Sequence, residues 1–278
     1  MSSESCPLPK GLAFLRSLAL PRKLGLLERL FGRRLASRGI AEVCLANGCV
    51  WTIDFGEVTH RWMVYGAYEG PVQMNWLKGW LKNGGVFVDS GANIGQFVVS
   101  LSASPGICTF AFEPVRDQRR WLEGCLCRYP QWDVSVIPLG LGDAEQQAMI
   151  KLAGGRSTLR QDWYQGQQLT QELIELTTLD QFTSREGIDR IRLWKLDMEG
   201  YEPKALAGAQ HLLAQRRIDA LLIEAQTATI PRILEILSAA GYGLYRLQGS
   251  GSLSAITESV WAGGFEGNLI ALPHGSGR

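Results

Sequence analysis

Residues 86–95, Val-Phe-Val-Asp-Ser-Gly-Ala-Asn-Ile-Gly, read as a buried strand running into a glycine-bearing turn that opens a helix. Val86 to Val88 form a short apolar run, Asp89 falls where that strand ends, and Gly91 and Gly95 bracket a turn before the helical apolar face of Phe97, Val98 and Leu101. Glycine suits such a turn because it tolerates positive φ and lets backbone approach a ligand closely. About twenty residues on, a second strand, Cys108 to Glu113, ends in a carboxylate placed to accept the hydroxyl protons of a ribose. The bland alternative is a glycine turn that serves only helix–sheet packing.

The dinucleotide fingerprint carries three glycines as G-x-G-x-x-G, and this turn offers only Gly91 and Gly95, so a pyrophosphate is less well provided for. Asp89 points the same way. A carboxylate at the strand end repels phosphate and suits a cationic aminoacyl group such as the ammonium of S-adenosylmethionine.

Strand patterns near 86–89, 108–113, 134–140, 191–197 and 219–224 alternate with helical patterns near 95–103, 115–128, 178–187 and 203–216. That rhythm argues for a parallel sheet covered on both faces, with ligands at the carboxyl ends of the strands. A further helix at 231–240 and a final strand near Asn268 to Ala271 follow. Upstream, Ala41 to Gly56 suits a hairpin around Asn47-Gly48. Residues 8–38 hold eight basic side chains and one acid, Glu28, among regularly spaced leucines and phenylalanines, with a break at Pro21. This basic amphipathic arm suits either an anionic membrane surface or docking on the catalytic domain with its arginines solvated. Residues 1–59 are expected to form the arm and hairpin, and residues 60–278 the catalytic domain.

With 278 residues and 46% hydrophobic composition, one substantial core is expected. A net charge of +1 disfavours nucleic acid as a partner. Six cysteines are few for this length, Cys125-Leu-Cys127 is too closely spaced for a zinc knuckle, and only three histidines are present, so reduced thiols and no metal site are expected. No signal-peptide pattern and no apolar run near the ~18 residues of a membrane span lead to a cytoplasmic expectation, with peripheral contact at the inner membrane face left open to the arm.

The chain resembles the FkbM-type S-adenosylmethionine-dependent methyltransferases over roughly residues 60–225. The resemblance is carried by Asp89 to Gly95, by Tyr68-Glu69-Gly70-Pro71, by Phe112-Glu113-Pro114, by Thr178-Leu179-Asp180, and above all by Lys195-Leu-Asp197-Met-Glu199-Gly-Tyr-Glu202. It implies a Rossmann-like, doubly wound α/β fold with a mostly parallel seven-stranded sheet whose last strand is antiparallel, extended at its N-terminus by helices and a hairpin. It also implies S-adenosylmethionine as cofactor and a hydroxyl acceptor on a sugar or glycan, lipopolysaccharide or secondary metabolite. One departure stands at Gln226, where the family pattern carries a histidine two residues after the glutamate at position 224.

On this reading Asp89, Gly91, Asn93 and Gly95 hold the aminoacyl end of the cofactor and Glu113 its ribose. Asp143 receives the adenine amino group or caps a helix before Ala144-Glu145. Asp197, Glu199 and Glu202 gather three carboxylates at the end of the fourth strand, where like-charge repulsion raises at least one pKa. Glu199 is the expected base, Asp197 orients it or touches the cofactor, and Lys195 shares a strand side with Asp197; either carboxylate could instead cap the helix that Pro203 helps start, a role Glu202 suits best. These carboxylates are also hard ligands of the kind Mg²⁺ takes, although no sequence feature requires a metal. Arg156 and Ser157, in the polar loop 154–170, and Glu224, at the end of the fifth strand, are candidate acceptor contacts. The rival readings are an oxidoreductase using NAD(P) and a noncatalytic Rossmann-like binding module.

Overall fold

The computed structural model describes residues 6–18, 23–66, 70–160, 162–256 and 264–275. Pro21, Tyr68 and Glu69, which figured in the sequence reading, lie outside the described residues.

The N-terminal part comprises helices α1 (Lys10–Leu15) and α2 (Lys23–Ala36), a hairpin of β1 (Ile40–Cys44) and β2 (Val50–Asp54), and helices α3 (Val58–Tyr65) and α4 (Pro71–Leu81). Then follow β3 (Gly85–Ser90), α5 (Gln96–Leu101), β4 (Ile107–Phe112), α6 (Arg116–Leu126) and β5 (Asp133–Ile137). Three strands form a separate small sheet: β6 (Gly140–Leu141), β7 (Gln146–Lys151) and β8 (Gln171–Thr177). The chain closes with α7 (Leu179–Glu186), β9 (Leu193–Leu196), α8 (Glu202–Ala207), α9 (Gln210–Ala214), β10 (Leu221–Gln226), α10 (Ile230–Ala239), β11 (Tyr242–Leu247), β12 (Leu253–Ala255) and β13 (Glu266–Pro273).

The main sheet has eight strands in the order β12-β11-β13-β10-β9-β3-β4-β5. Strands β5, β4, β3, β9 and β10 run parallel, and β13 enters antiparallel between β10 and β11. Seven of these are the strands of the expected Rossmann-like sheet; the eighth, β12, is three residues hairpinned onto the edge of β11. Successive side chains alternate between two covered faces. Val88, Leu221 and Ile223 pack under α7 to α10, whereas Phe87 and Leu222 pack with Leu77 and Leu81 of α4 and Phe97 and Leu101 of α5. A strand buried on both faces reads as a continuous apolar run, as Val86 to Val88 and Leu221 to Ile223 do.

The hairpin forms with the expected Asn47-Gly48 turn, Gly48 taking φ +86°. It does not stand apart: Val43, Trp51, Ile53 and Phe55 share one apolar cluster with Leu12, Leu27 and Leu35 of the arm and with Val98 of α5 and Leu122 of α6. All six cysteines are unpaired.

Two local expectations are corrected. The single helix over 203–216 is two helices, because Gly208 packs on the backbone of Gly142 with no room for a side chain, and the Asp180 carboxylate accepts the His211 and Leu212 amides at 2.9 and 3.0 Å, starting α9 afresh. The strand expected over 134–140 ends at Ile137; Pro138 follows, and Gly140–Leu141 joins the small sheet instead.

The turn after β3 is fixed by sterics. Gly91 takes φ +76°, and any Cβ there would overlap the Asp197 carbonyl oxygen at the end of β9. At Gly95, φ +90°, a Cβ would come within 2.6 Å of Leu122 and 2.9 Å of Trp51. Both glycines are therefore required by packing whether or not a ligand is bound. Replacing Gly91 with Ala combines backbone strain with overpacking and should cost about 3 kcal/mol, measured as a lower urea midpoint at unchanged slope; a loss below about 1 kcal/mol, the size of an ordinary surface substitution or little more, would contradict this packing.

Candidate active site

The register of the parallel strands places Asp89 of β3 directly beside Lys195 of β9. Asp89 is fully buried, and the Lys195 ammonium, 3% exposed, lies 3.1 Å from Asp89 Oδ1 and 3.4 Å from Asp197 Oδ2. The same ammonium donates to the Gly91 carbonyl at 2.9 Å and sits 5.0 Å from the centre of the Phe97 ring. Burial pushes the Asp89 carboxyl up, and the Lys195 charge partly offsets that. Asp89 thus lies beneath the glycine turn and outside the lining of the cavity above it.

That cavity opens at the carboxyl ends of the strands, where ligands bind in open α/β sheets. Gly91, Asn93, Glu113, Asp197 and Glu199 line its polar side; Phe112, Val115, Leu141, Ile150 and Leu159 form an apolar wall. Glu113 is buried and ties the turn to the next strand: its Oε2 accepts the Asn93 amide at 2.8 Å and its Oε1 the Val115 amide at 2.9 Å. Burial raises its pKa to about 7 against the lowering effect of those amides.

Across the cavity, Glu199 adopts φ +51°, rare for a residue with a side chain, and its carbonyl accepts the Thr158 hydroxyl at 2.8 Å. Its carboxyl is raised to about 7, first by burial and then by the Asp197 charge. Arg156 reaches to 3.8 Å from Glu199 Oε1 from an exposed position. Ser157 lines the cavity, but its hydroxyl is engaged in the loop, donating to the Gly154 carbonyl and accepting the Ala153 amide. Glu224 stands with Asp197 and Glu199, one oxygen of each within 4.8 Å of the others, a spacing and chemistry able to hold a divalent cation. Burial, Asp197, Glu199 and Glu202 together push Glu224 up to about 9, so it is protonated near neutral pH. Glu202 is buried and accepts the Met198 and Gly200 amides at 2.8 and 3.2 Å, closing the turn that displays Asp197 and Glu199.

Asp143 stands apart from this group. Residues 143–145 bend into strand β7, so Asp143 caps no helix; it pairs with Lys204 at 2.5 Å and does not line the cavity. Two residues beyond the sequence reading take part. Gln96 is buried on the cavity lining with no hydrogen-bond partner for its Nε2, and Thr158 holds Glu199 from the loop. The place of Gln96 directly after the glycine turn is a usable sequence signal; nothing in the sequence marks Thr158.

The residues present fit S-adenosylmethionine. The apolar wall suits a purine, Glu113 at the end of β4 suits a ribose diol, and the unpartnered Gln96 amide suits the cofactor carboxylate. Asp197 and Glu199 supply negative charge for a sulfonium. No lysine or arginine lines the cavity among the described residues, and three carboxylates do, which sets it against the pyrophosphate of a nicotinamide cofactor. Fold and cavity together define an S-adenosylmethionine-dependent methyltransferase.

Residues 89–244, more than half of the chain, match the methyltransferase FkbM domain, and the chain belongs to that family. The chain is 31% identical, over an alignment of 161 positions, to part of the AMB antimetabolite synthetase AmbE of Pseudomonas aeruginosa, covering 44% of this chain and 8% of that protein. The chain therefore spans under a tenth of the length of this relative. Among solved structures, an S-adenosylmethionine-dependent methyltransferase from Agrobacterium tumefaciens is similar at TM-score 0.45 and 11% identity, over 84% of this chain and 69% of that one. The bifunctional kinase-methyltransferase WbdD is similar at TM-score 0.43 and 10% identity, over 77% and 41%.

Because the folded pKa of Glu224 lies above its ordinary 4.5, its contribution to stability is present below 4.5 and lost as pH rises through about 9. Glu224→Gln removes this penalty on the ionised form. Its melting temperature relative to the parent should therefore increase between pH 5.5 and 8.5; a difference that stays constant over that window would contradict the raised pKa.

Proposed function

We propose that this methyltransferase acts on a hydroxyl oxygen of a sugar, carried by a glycan, a lipopolysaccharide or a secondary metabolite, with Glu199 as the general base. The observation that carries this reading is the Glu199 carboxyl itself, held in the cavity by an unusual backbone conformation and titrating near 7, where a base is both ionised and strong enough to take a proton. S-adenosylmethionine supplies an electrophilic methyl group when bound. Glu199 receives the acceptor's hydroxyl proton as the oxygen gains that methyl. Burial and then the Asp197 charge hold the Glu199 pKa up, Lys195 fixes Asp197, and Thr158 fixes the Glu199 backbone.

Arg156, exposed beside Glu199, would meet the acceptor. The protonated Glu224 is a hydrogen-bond donor beside Asp197, suited to an acceptor oxygen. A metabolite acceptor is also supported by the similarity to a segment of an antimetabolite synthetase. A cytoplasmic location fits the six unpaired cysteines.

Glu199→Gln should leave stabilisation by S-adenosylhomocysteine near the parent value while lowering turnover by about 10²–10⁴-fold. In the parent, kcat should rise with pH and level off above about 7. The acceptor is found by mass spectrometry of glycans, lipids and metabolites from cells with and without the protein, as a gain of one CH₂. Loss of S-adenosylhomocysteine binding in Glu199→Gln, or an unchanged pH profile, would remove the assignment of Glu199 as base.

A further inference from the structure

One face of the arm carries basic side chains that form no ion pair with a described residue. On α2, Leu26, Leu30 and Arg33 follow at helical i, i+4, i+7 spacing, with Arg29 and Arg34 beside them, and all five are exposed. Phe14 and Lys10 of α1 are exposed as well. The helices are held together and in place, with Phe31 of α2 against Gly11 of α1 and with Leu12, Leu27 and Leu35 in the apolar cluster beneath. Glu28, the sole acid of residues 8–38, is turned the other way: it accepts from the Arg61 guanidinium and from the Tyr65 hydroxyl of α3. Lys10, Arg29, Arg33 and Arg34 form no ion pair with any described residue, so four cations and three large apolar side chains face outward with no compensating acid from the arm.

We propose that α1 and α2 form a docking face for a bilayer containing anionic phospholipid. The apolar members decide between a bilayer and a soluble polyanion. A polyanion would pair with the arginines and leave Phe14, Leu26 and Leu30 in water. A bilayer takes both, the apolar side chains entering the acyl boundary and the guanidinium groups lying at the phosphate level. The face is coupled to the active site through α3. Arg61, which holds Glu28, also donates to the Phe55 and Gly56 carbonyls, and Thr59 packs on Gly155 of the cavity lining. Docking of the arm stands or falls independently of the acceptor reading.

The test is co-sedimentation of the full chain with vesicles of phosphatidylcholine alone and of phosphatidylcholine mixed with phosphatidylglycerol. Binding is expected to the mixed vesicles only, and to weaken with salt. Each basic side chain beside an anionic surface strengthens binding by about five-fold, so Arg29→Gln, Arg33→Gln and Arg34→Gln together should weaken it roughly a hundred-fold. Leu26→Ser with Leu30→Ser should weaken it by roughly ten-fold for each leucine. S-adenosylhomocysteine should stabilise all variants as it does the parent, confirming that they fold. Equal binding to both kinds of vesicle, or to neither, would overturn the proposal. So would binding that the arginine changes abolish and the leucine changes leave intact, since that is the behaviour of a polyanion site.

Discussion

One buried ammonium organises the functional end of this molecule. Lys195 rises from the end of β9 and meets Asp89 of β3 on one side, Asp197 on the other and the Gly91 carbonyl above. An isolated buried charge would be very costly, so the lysine and its carboxylates require one another. Through them the two central strands are held in register at the point where the glycine turn must pass. The turn in turn positions Asn93 to meet Glu113, which joins the third strand end to the group. The cavity is what remains between these tied ends.

The same arrangement explains how one site keeps carboxyl groups in different protonation states. Asp197 stays close to the lysine, whereas Glu199 and Glu224 lie in partly buried positions with Asp197 as their neighbouring charge. Burial first, and then the negative charge of neighbouring carboxylates, raises both groups, Glu199 to about 7 and Glu224 to about 9. A neutral donor and an ionisable base then stand side by side. The loop from β7 to β8 completes this edge, because Thr158 holds the Glu199 carbonyl and with it the left-handed turn.

Much of this was legible in the sequence, and for a physical reason: strands buried on both faces are continuous apolar runs, and tight turns between them need glycine. Val86 to Gly95 therefore gave strand, turn and helix, and Lys195 to Glu202 gave a dense carboxylate cluster. What the sequence conceals is the partner of each group. Asp89 reads as a ligand-facing acid at a strand end, yet the strand register buries it against Lys195, beneath the cavity lining. Gly91 lines the cavity, and the sequence does not reveal that its Cβ position is also blocked by the backbone at the end of another strand. Asp143 reads as an adenine contact, and its pairing with Lys204 depends on how the small sheet folds back. The break of α8 from α9 follows from a carboxylate thirty residues away in the chain, Asp180, and no local periodicity reveals it.

Lys195 holds the cofactor cavity together from outside its lining. The most direct measurement is the affinity of S-adenosylhomocysteine, by isothermal titration calorimetry, for the parent and for Lys195→Gln, with circular dichroism confirming that the variant is folded. A folded variant whose affinity falls by roughly tenfold or more, the order seen when a supporting residue of a bound site is removed, is the predicted result. A folded Lys195→Gln protein that binds S-adenosylhomocysteine as tightly as the parent would contradict it.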